Sequence, residues 1–90
     1  MNETEVEVRL RFTGEAARRV RESVWHHSQQ IIDRSDGDCD MILRVGGVRE
    51  IRRWILSWGG EVEVLAPAAL REDIREQARR MAAIYYASSP

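Results

Sequence analysis

Glu5-Val6-Glu7-Val8-Arg9-Leu10-Arg11-Phe12 alternates without a break. Val6, Val8, Leu10 and Phe12 fall on one side of an extended chain, and Glu5, Glu7, Arg9 and Arg11 on the other. A period of two over such a run predicts a strand with one face on a core and the other in water. The element that follows is a helix. Thr13 offers a hydroxyl N-cap, Glu15 puts an acid in the first turn, and Ala16, Val20 and Val24 recur every four residues with Ala17 beside them. That spacing predicts a helix running to Trp25 or His26.

A hairpin comes next. Ile31 and Ile32 mark a strand within 29–34, Asp36-Gly37 supplies a turn that accepts positive φ, and the return strand covers 39–45 with Met41, Leu43 and Val45 inward and Asp40, Ile42 and Arg44 outward. After the break at Gly46-Gly47, Val48, Ile51, Trp54, Ile55 and Trp58 keep helical spacing until Gly59-Gly60 ends the run. Val62 and Val64 alternate within a fourth strand at 61–65. Pro67 then opens a third helix with the apolar stripe Leu70, Ile74, Ala78, Met81 and Tyr85, and a fraying tail follows at 87–90. The order β-α-β-β-α-β-α predicts an α+β fold: a ferredoxin-like split βαβ unit (β-α-β-β-α-β) with an additional C-terminal helix and a four-stranded antiparallel sheet. Two helices cover one sheet face, leaving the other to the third helix or to a partner.

Composition narrows the function classes. Ninety residues make one domain, with an ordered core expected over about 4–86. Hydrophobic residues are 43% and charged residues 32%, a globular balance, and 15 acids against 14 bases disfavour whole-surface binding to DNA or an anionic membrane. No apolar run approaches a membrane span, and Met1-Asn2-Glu3 does not begin a signal peptide. The single cysteine, Cys39, excludes a disulfide within the chain and a cysteine-based metal site. A soluble cytoplasmic domain without cofactor or metal is expected. Every basic residue is arginine, which GC-rich coding explains as readily as a demand for guanidinium forks.

The first strand, the Asp36-Gly37 turn, the run Ile51-Arg52-Arg53-Trp54-Ile55-Leu56-Ser57-Trp58-Gly59, and Val62-Glu63-Val64-Leu65-Ala66-Pro67-Ala68-Ala69-Leu70-Arg71 together resemble the C-terminal extension (WCX) that follows the WYL domain in bacterial WYL-type transcriptional regulators. The likeness spans roughly Glu5 to Tyr85 and is most specific from Trp54 to Arg71. It implies a ferredoxin-like module in a regulator that also holds a winged helix-turn-helix reader and a WYL effector domain. In that family the extension contributes to homodimer assembly and to the effector response, and some members respond to single-stranded nucleic acid. The Trp-Tyr-Leu signature and the DNA-reading helices are not in this chain.

No catalytic constellation stands out. His26 and His27 are adjacent, so on a helix their side chains diverge by about 100° and cannot share a metal. Cys39 has no neighbouring base in sequence, and a packed cysteine is the plainer reading. Asp36, Asp38 and Asp40 lack the glycine and glutamate spacing of a calcium loop, so a solvated turn accounts for them. An acylphosphatase-type site would want an asparagine beside a loop arginine, and the only asparagine is Asn2.

The outward positions of the two central strands carry no aromatic residue on which a base could stack. They do carry Arg9, Arg11 and Arg44, which the fold sets side by side. These are candidate contacts for an effector, a nucleic acid or a second copy. Cross-strand pairing with acids such as Glu61 and Glu63 is the plainer account. Trp54 reads as core, whereas Trp25 and Trp58, near helix ends, divide evenly between core and interface, and Trp58 joins the candidate site.

The sequence is thus read as a non-enzymatic dimerisation and regulatory module. Its partners would be a second copy, the WYL and helix-turn-helix domains of a parent regulator, and a nucleic-acid effector, with no membrane. Alternatives are an ACT-like small-molecule sensor, for which only Gly14 represents the glycine-rich loop after the first strand, and a stand-alone single-strand-binding module.

Overall fold

The computed structural model describes residues 5–86. Its elements are β1 (Val6–Phe12), α1 (Gly14–Val20), β2 (Gln30–Asp33), β3 (Cys39–Val45), α2 (Val48–Leu56), a single 3-10 turn at Gly59–Glu61, β4 (Val62–Ala66) and α3 (Ala68–Tyr86). The strands form one antiparallel sheet in the order β2-β3-β1-β4, with β1 and β3 central. An α+β fold with a four-stranded antiparallel sheet and three helices is therefore present, as expected. The tail at 87–90 and Thr4 lie outside the described residues.

Alternation decides which face is dry. Val8, Leu10 and Phe12 of β1, Cys39, Met41, Leu43 and Val45 of β3, and Val64 of β4 are buried against Ala16, Ala17 and Val20 of α1, Ile55 of α2 and Leu70 of α3. Burial of each large aliphatic or aromatic side chain among these contributes about 1.5–3 kcal/mol. The β1–β3 register runs without interruption from Val6↔Val45 to Phe12↔Cys39. The β1–β4 ladder carries an irregularity between Arg9 and Leu10, where Arg9 faces Ala66 and Leu10 faces Val64, so Leu65 is the extra residue.

α1 departs from expectation at both ends. The helix stops at Val20, and Val24 is 80% exposed, so the predicted extension to Trp25 is corrected. Polar side chains terminate it by taking its last carbonyls: Arg21 donates to Ala17 O at 3.1 Å, and the Trp25 indole donates to Val20 O at 3.1 Å. Arg21 also reaches Asp33 and the carbonyls of Gly37 and Asp38, tying the helix end to the hairpin. Gln29 holds the reversed chain by accepting from the amides of Trp25 and His26 and donating to Ser23 O.

At the other end, Thr13 occupies the N-cap position without a side-chain bond. Glu61 caps the helix instead: its carboxylate accepts from the Ala16 amide at 2.9 Å, and its backbone carbonyl accepts from the Thr13 amide at 3.0 Å. Gly14 is at φ +58, a conformation that favours glycine, and a Cβ there would lie 3.1 Å from the same carboxylate, a tight contact.

α3 settles which layer the third helix joins. Leu70 is in the core and Ile74 packs against it. Arg52 of α2 pairs with Asp73 at 2.6 Å, so α3 lies beside α2 and β4 rather than across the outer sheet face. Beyond Ile74 the expected stripe is unburied: Met81 is half exposed and Tyr85 largely so.

Candidate functional site

The outer face of β1 and β3 is the surface that α1, α2 and α3 leave uncovered. The strict alternation that buries Val8 and Leu10 presents Glu7, Arg9 and Arg11, and the register sets Arg44 opposite Glu7, Ile42 opposite Arg9 and Asp40 opposite Arg11. Arg9, Arg11 and Arg44 are thus brought onto one face, as expected. Their partners differ from those expected. Arg11 makes a forked pair with Asp40, with Nε at 2.8 Å from one carboxylate oxygen and Nη2 at 3.1 Å from the other. Glu7 receives Arg9 at 2.8 Å and Arg44 at 3.2 Å.

Of the acids anticipated on the fourth strand, Glu61 caps α1, while Glu63 stands opposite Arg11 in the β1–β4 register and acts on it by charge, though its ion pair, at 2.8 Å, goes to Arg71 of α3. Arg11 has a carboxylate opposite it on each side, Asp40 on β3 and Glu63 on β4, and its fork closes on Asp40.

The electrostatics follow from these pairs. The Arg9 guanidinium hydrogen-bonded to Glu7 holds that carboxyl below its ordinary range, with Arg44 adding to the effect. The Arg11 fork lowers Asp40 in the same way, Arg34 contributing from 3.9 Å. One carboxylate, Glu7, serves both the Arg9 and the Arg44 guanidinium groups at that end of the face. Ile42, half-buried, lies at the centre, and Ile32 of the edge strand, 50% exposed, sits opposite Asp40 on the same face. Charged forks surrounding small apolar patches can bind a complementary protein surface. They offer no ring for a base.

Trp58 is on the other side of the sheet. It packs against the core in a cluster with Phe12 (centroids 5.5 Å apart), Trp25 (5.6 Å) and Trp54 (5.8 Å), mostly edge to face. The structure therefore does not bring Trp58 together with Arg9, Arg11 and Arg44, and gives it a packing role. Trp25 belongs to the same cluster yet remains 43% exposed.

The remaining chemistry-bearing residues take plain positions. Cys39 is fully buried, its thiol pushed up by desolvation and directed at the Ala17 carbonyl at 3.8 Å. The rings of His26 and His27 stack at 4.4 Å, and Ser28 engages Nδ1 of His26. Asp36 accepts from the Asp38 amide within the hairpin turn, and Asp40 is held by Arg11. Among the described residues, no group of three or more His, Cys, Asp or Glu is placed to hold a metal ion. No described helix is long and apolar enough to cross a membrane.

Two features were not legible beforehand. The Ser28 hydroxyl accepts from the Arg44 amide at 2.8 Å and donates to its carbonyl at 3.2 Å, so a side chain completes the end of β3 where no strand residue is available. The Glu61 cap spans 45 residues in sequence, and no local motif announces it.

No curated protein matches the chain. A family model does: the WCX domain, aligned over residues 4–82, which takes in every strand, the aromatic cluster and most of α3. With nearly the whole chain matched and the Trp54–Arg71 stretch inside it, the protein belongs to the WCX domain family.

Proposed function

We propose that this chain is the ferredoxin-like C-terminal extension of a bacterial WYL-type transcriptional regulator. In this reading it is a non-enzymatic cytoplasmic module that pairs with a second copy and relays effector occupancy to DNA-binding domains on other parts of the regulator. Family membership supports the regulatory assignment. The strand order β2-β3-β1-β4, with each crossover helix on the core side, supports the split βαβ reading. The observation that carries the dimer is the uncovered outer face, where Arg9, Arg11 and Arg44 alternate with Glu7 and Asp40 around Ile42. Under a two-fold axis each copy's acids meet the other's arginines, so the same patch serves both partners. The two-fold then sets the spacing of two DNA readers, and an effector that alters the pairing alters that spacing.

Sedimentation equilibrium tests this directly. The chain is expected to show a monomer–dimer equilibrium below about 1 mM, weakening as salt rises. The Arg9→Glu/Arg44→Glu double variant is expected to remain monomeric while keeping the wild-type circular dichroism spectrum. A wild-type chain that is monomeric at about 1 mM and low salt overturns the dimer reading.

For the stand-alone single-strand-binding alternative, the exposed guanidinium groups of Arg9 and Arg44 are the favourable feature. A fluorescent oligonucleotide titrated at two salt concentrations decides it, since phosphate contacts must weaken with salt. The ACT-like alternative has Gly14 as its loop glycine, but here that residue makes room for the Glu61 cap.

A further inference from the structure

On the opposite side of the sheet from Arg9 and Arg44, the start of α2 and the reversed segment after α1 enclose a groove of about 660 Å³. That volume is within the range of sites that hold a small organic molecule. Its walls are Trp25, Ile51 and Trp54, with the two indoles 5.7 Å apart and tilted at 47°. Trp25 is not a loose surface residue. Its indole N–H is bound to Val20 O and its amide to Gln29, so a large flat ring is held rigidly with nearly half its area unburied. Gly46 and Gly47 line the same groove, and a side chain at either would meet nothing within 4 Å, so the space above them is open.

Polar groups at the rim favour one charge. Arg49 lines the groove and, unlike most arginines of this chain, has no carboxylate within 4.0 Å among the described residues. His26 lines it too, its Nδ1 side held by Ser28. Glu50 is the one acid at the rim. The Arg49 guanidinium is the rim group that an anion would meet. Flat apolar walls beside an unpaired guanidinium match a planar aromatic body that carries a carboxylate. We propose that this groove is a binding site for a small planar aromatic carboxylate, seated against Trp25 and Trp54 with its anion on Arg49.

The site does not depend on the outer-face dimer, and its test is separate. The probe is 2-naphthoate, titrated into the isotope-labelled full chain and followed by amide and indole chemical shifts, with 2-naphthalenemethanol as the uncharged control. Saturable one-to-one binding with a dissociation constant on the order of 0.1–1 mM is expected. Shifts should be confined to Trp25, His26, Gly46, Gly47, Ile51 and Trp54. The alcohol and the Arg49→Gln variant should each bind about tenfold more weakly. Glu50→Gln should bind the acid more tightly. Arg53→Gln, which removes an exposed guanidinium of the same helix outside the groove, should leave affinity unchanged. Equal affinity for acid and alcohol, shifts centred on the outer sheet face or on the end of α3, or no saturation by about 10 mM would each overturn the proposal.

Discussion

Replacing Glu61 with alanine is expected to destabilise the protein, whereas replacing Thr13, which occupies the cap position, is not. In the structure the Ala16 amide of α1 is satisfied by the Glu61 carboxylate at 2.9 Å, and the Thr13 hydroxyl makes no cap bond. Losing an N-cap acceptor typically costs about 1 kcal/mol, and a negative charge at a helix start adds about 0.3–1 kcal/mol. The carboxylate is partly solvated, so about 1–1.5 kcal/mol is the expected total. For a domain of this size that lowers the melting temperature by roughly 4–10 °C. Glu61→Gln keeps the acceptor and loses the charge, and should fall between wild type and Glu61→Ala. Thr13→Ala should shift the melting temperature by no more than about 3 °C. Differential scanning calorimetry on the three variants is sufficient. A Thr13→Ala loss larger than that of Glu61→Ala would refute the long-range cap.

Leu10→Ala, at a fully buried position of the central strand, should cost about 2–5 kcal/mol, a large share of the stability of a small domain, read from the urea midpoint at constant m-value. Asp40 is held below its ordinary value of 3.8 by Arg11, so the folded state binds this proton less readily than the unfolded state. The stabilisation is complete above that value and is lost as pH falls through the lower folded value. Wild type should therefore lose stability more steeply on acidification below about pH 4 than Asp40→Asn does, in urea midpoints taken across that interval. Cys39, buried with its thiol raised by desolvation, should react with a disulfide reagent at neutral pH only at the rate of opening, and quickly in urea.

The strands were readable because period-two alternation is a local signal, and every outward or inward assignment on β1 and β3 follows from it. The Asp36-Gly37 turn was equally local, with Gly37 at φ +92, whereas the helix expected to run through Trp58 to a Gly59-Gly60 stop ends at Leu56, and Gly59, at φ +63, begins the 3-10 turn. What escaped was set by side-chain contacts that apolar spacing does not announce. Val24 has the right spacing for α1, but Arg21 and Trp25 take the last helical carbonyls and Trp25 turns back toward Trp54 and Trp58. Thr13 has the right chemistry for a cap, but Glu61 reaches the helix first. On the candidate site, alternation placed Arg9, Arg11 and Arg44 together, while their pairing with Glu7 and Asp40 depended on the β1–β3 register. Trp58 was grouped with them for its residue type and its place near a helix end, and the sheet separates them.

The proposed dimer sets the outer face of β1 and β3 of one copy against that of the other. A nitroxide attached at Ile42→Cys on unlabelled chain, mixed with isotope-labelled wild type, measures this most directly, since buried Cys39 stays unmodified in the folded protein. Intermolecular broadening is predicted at the amides of residues 7–11 and 40–44. Broadening confined to the exposed end of α3, or absent at concentrations where a dimer sediments, would contradict it.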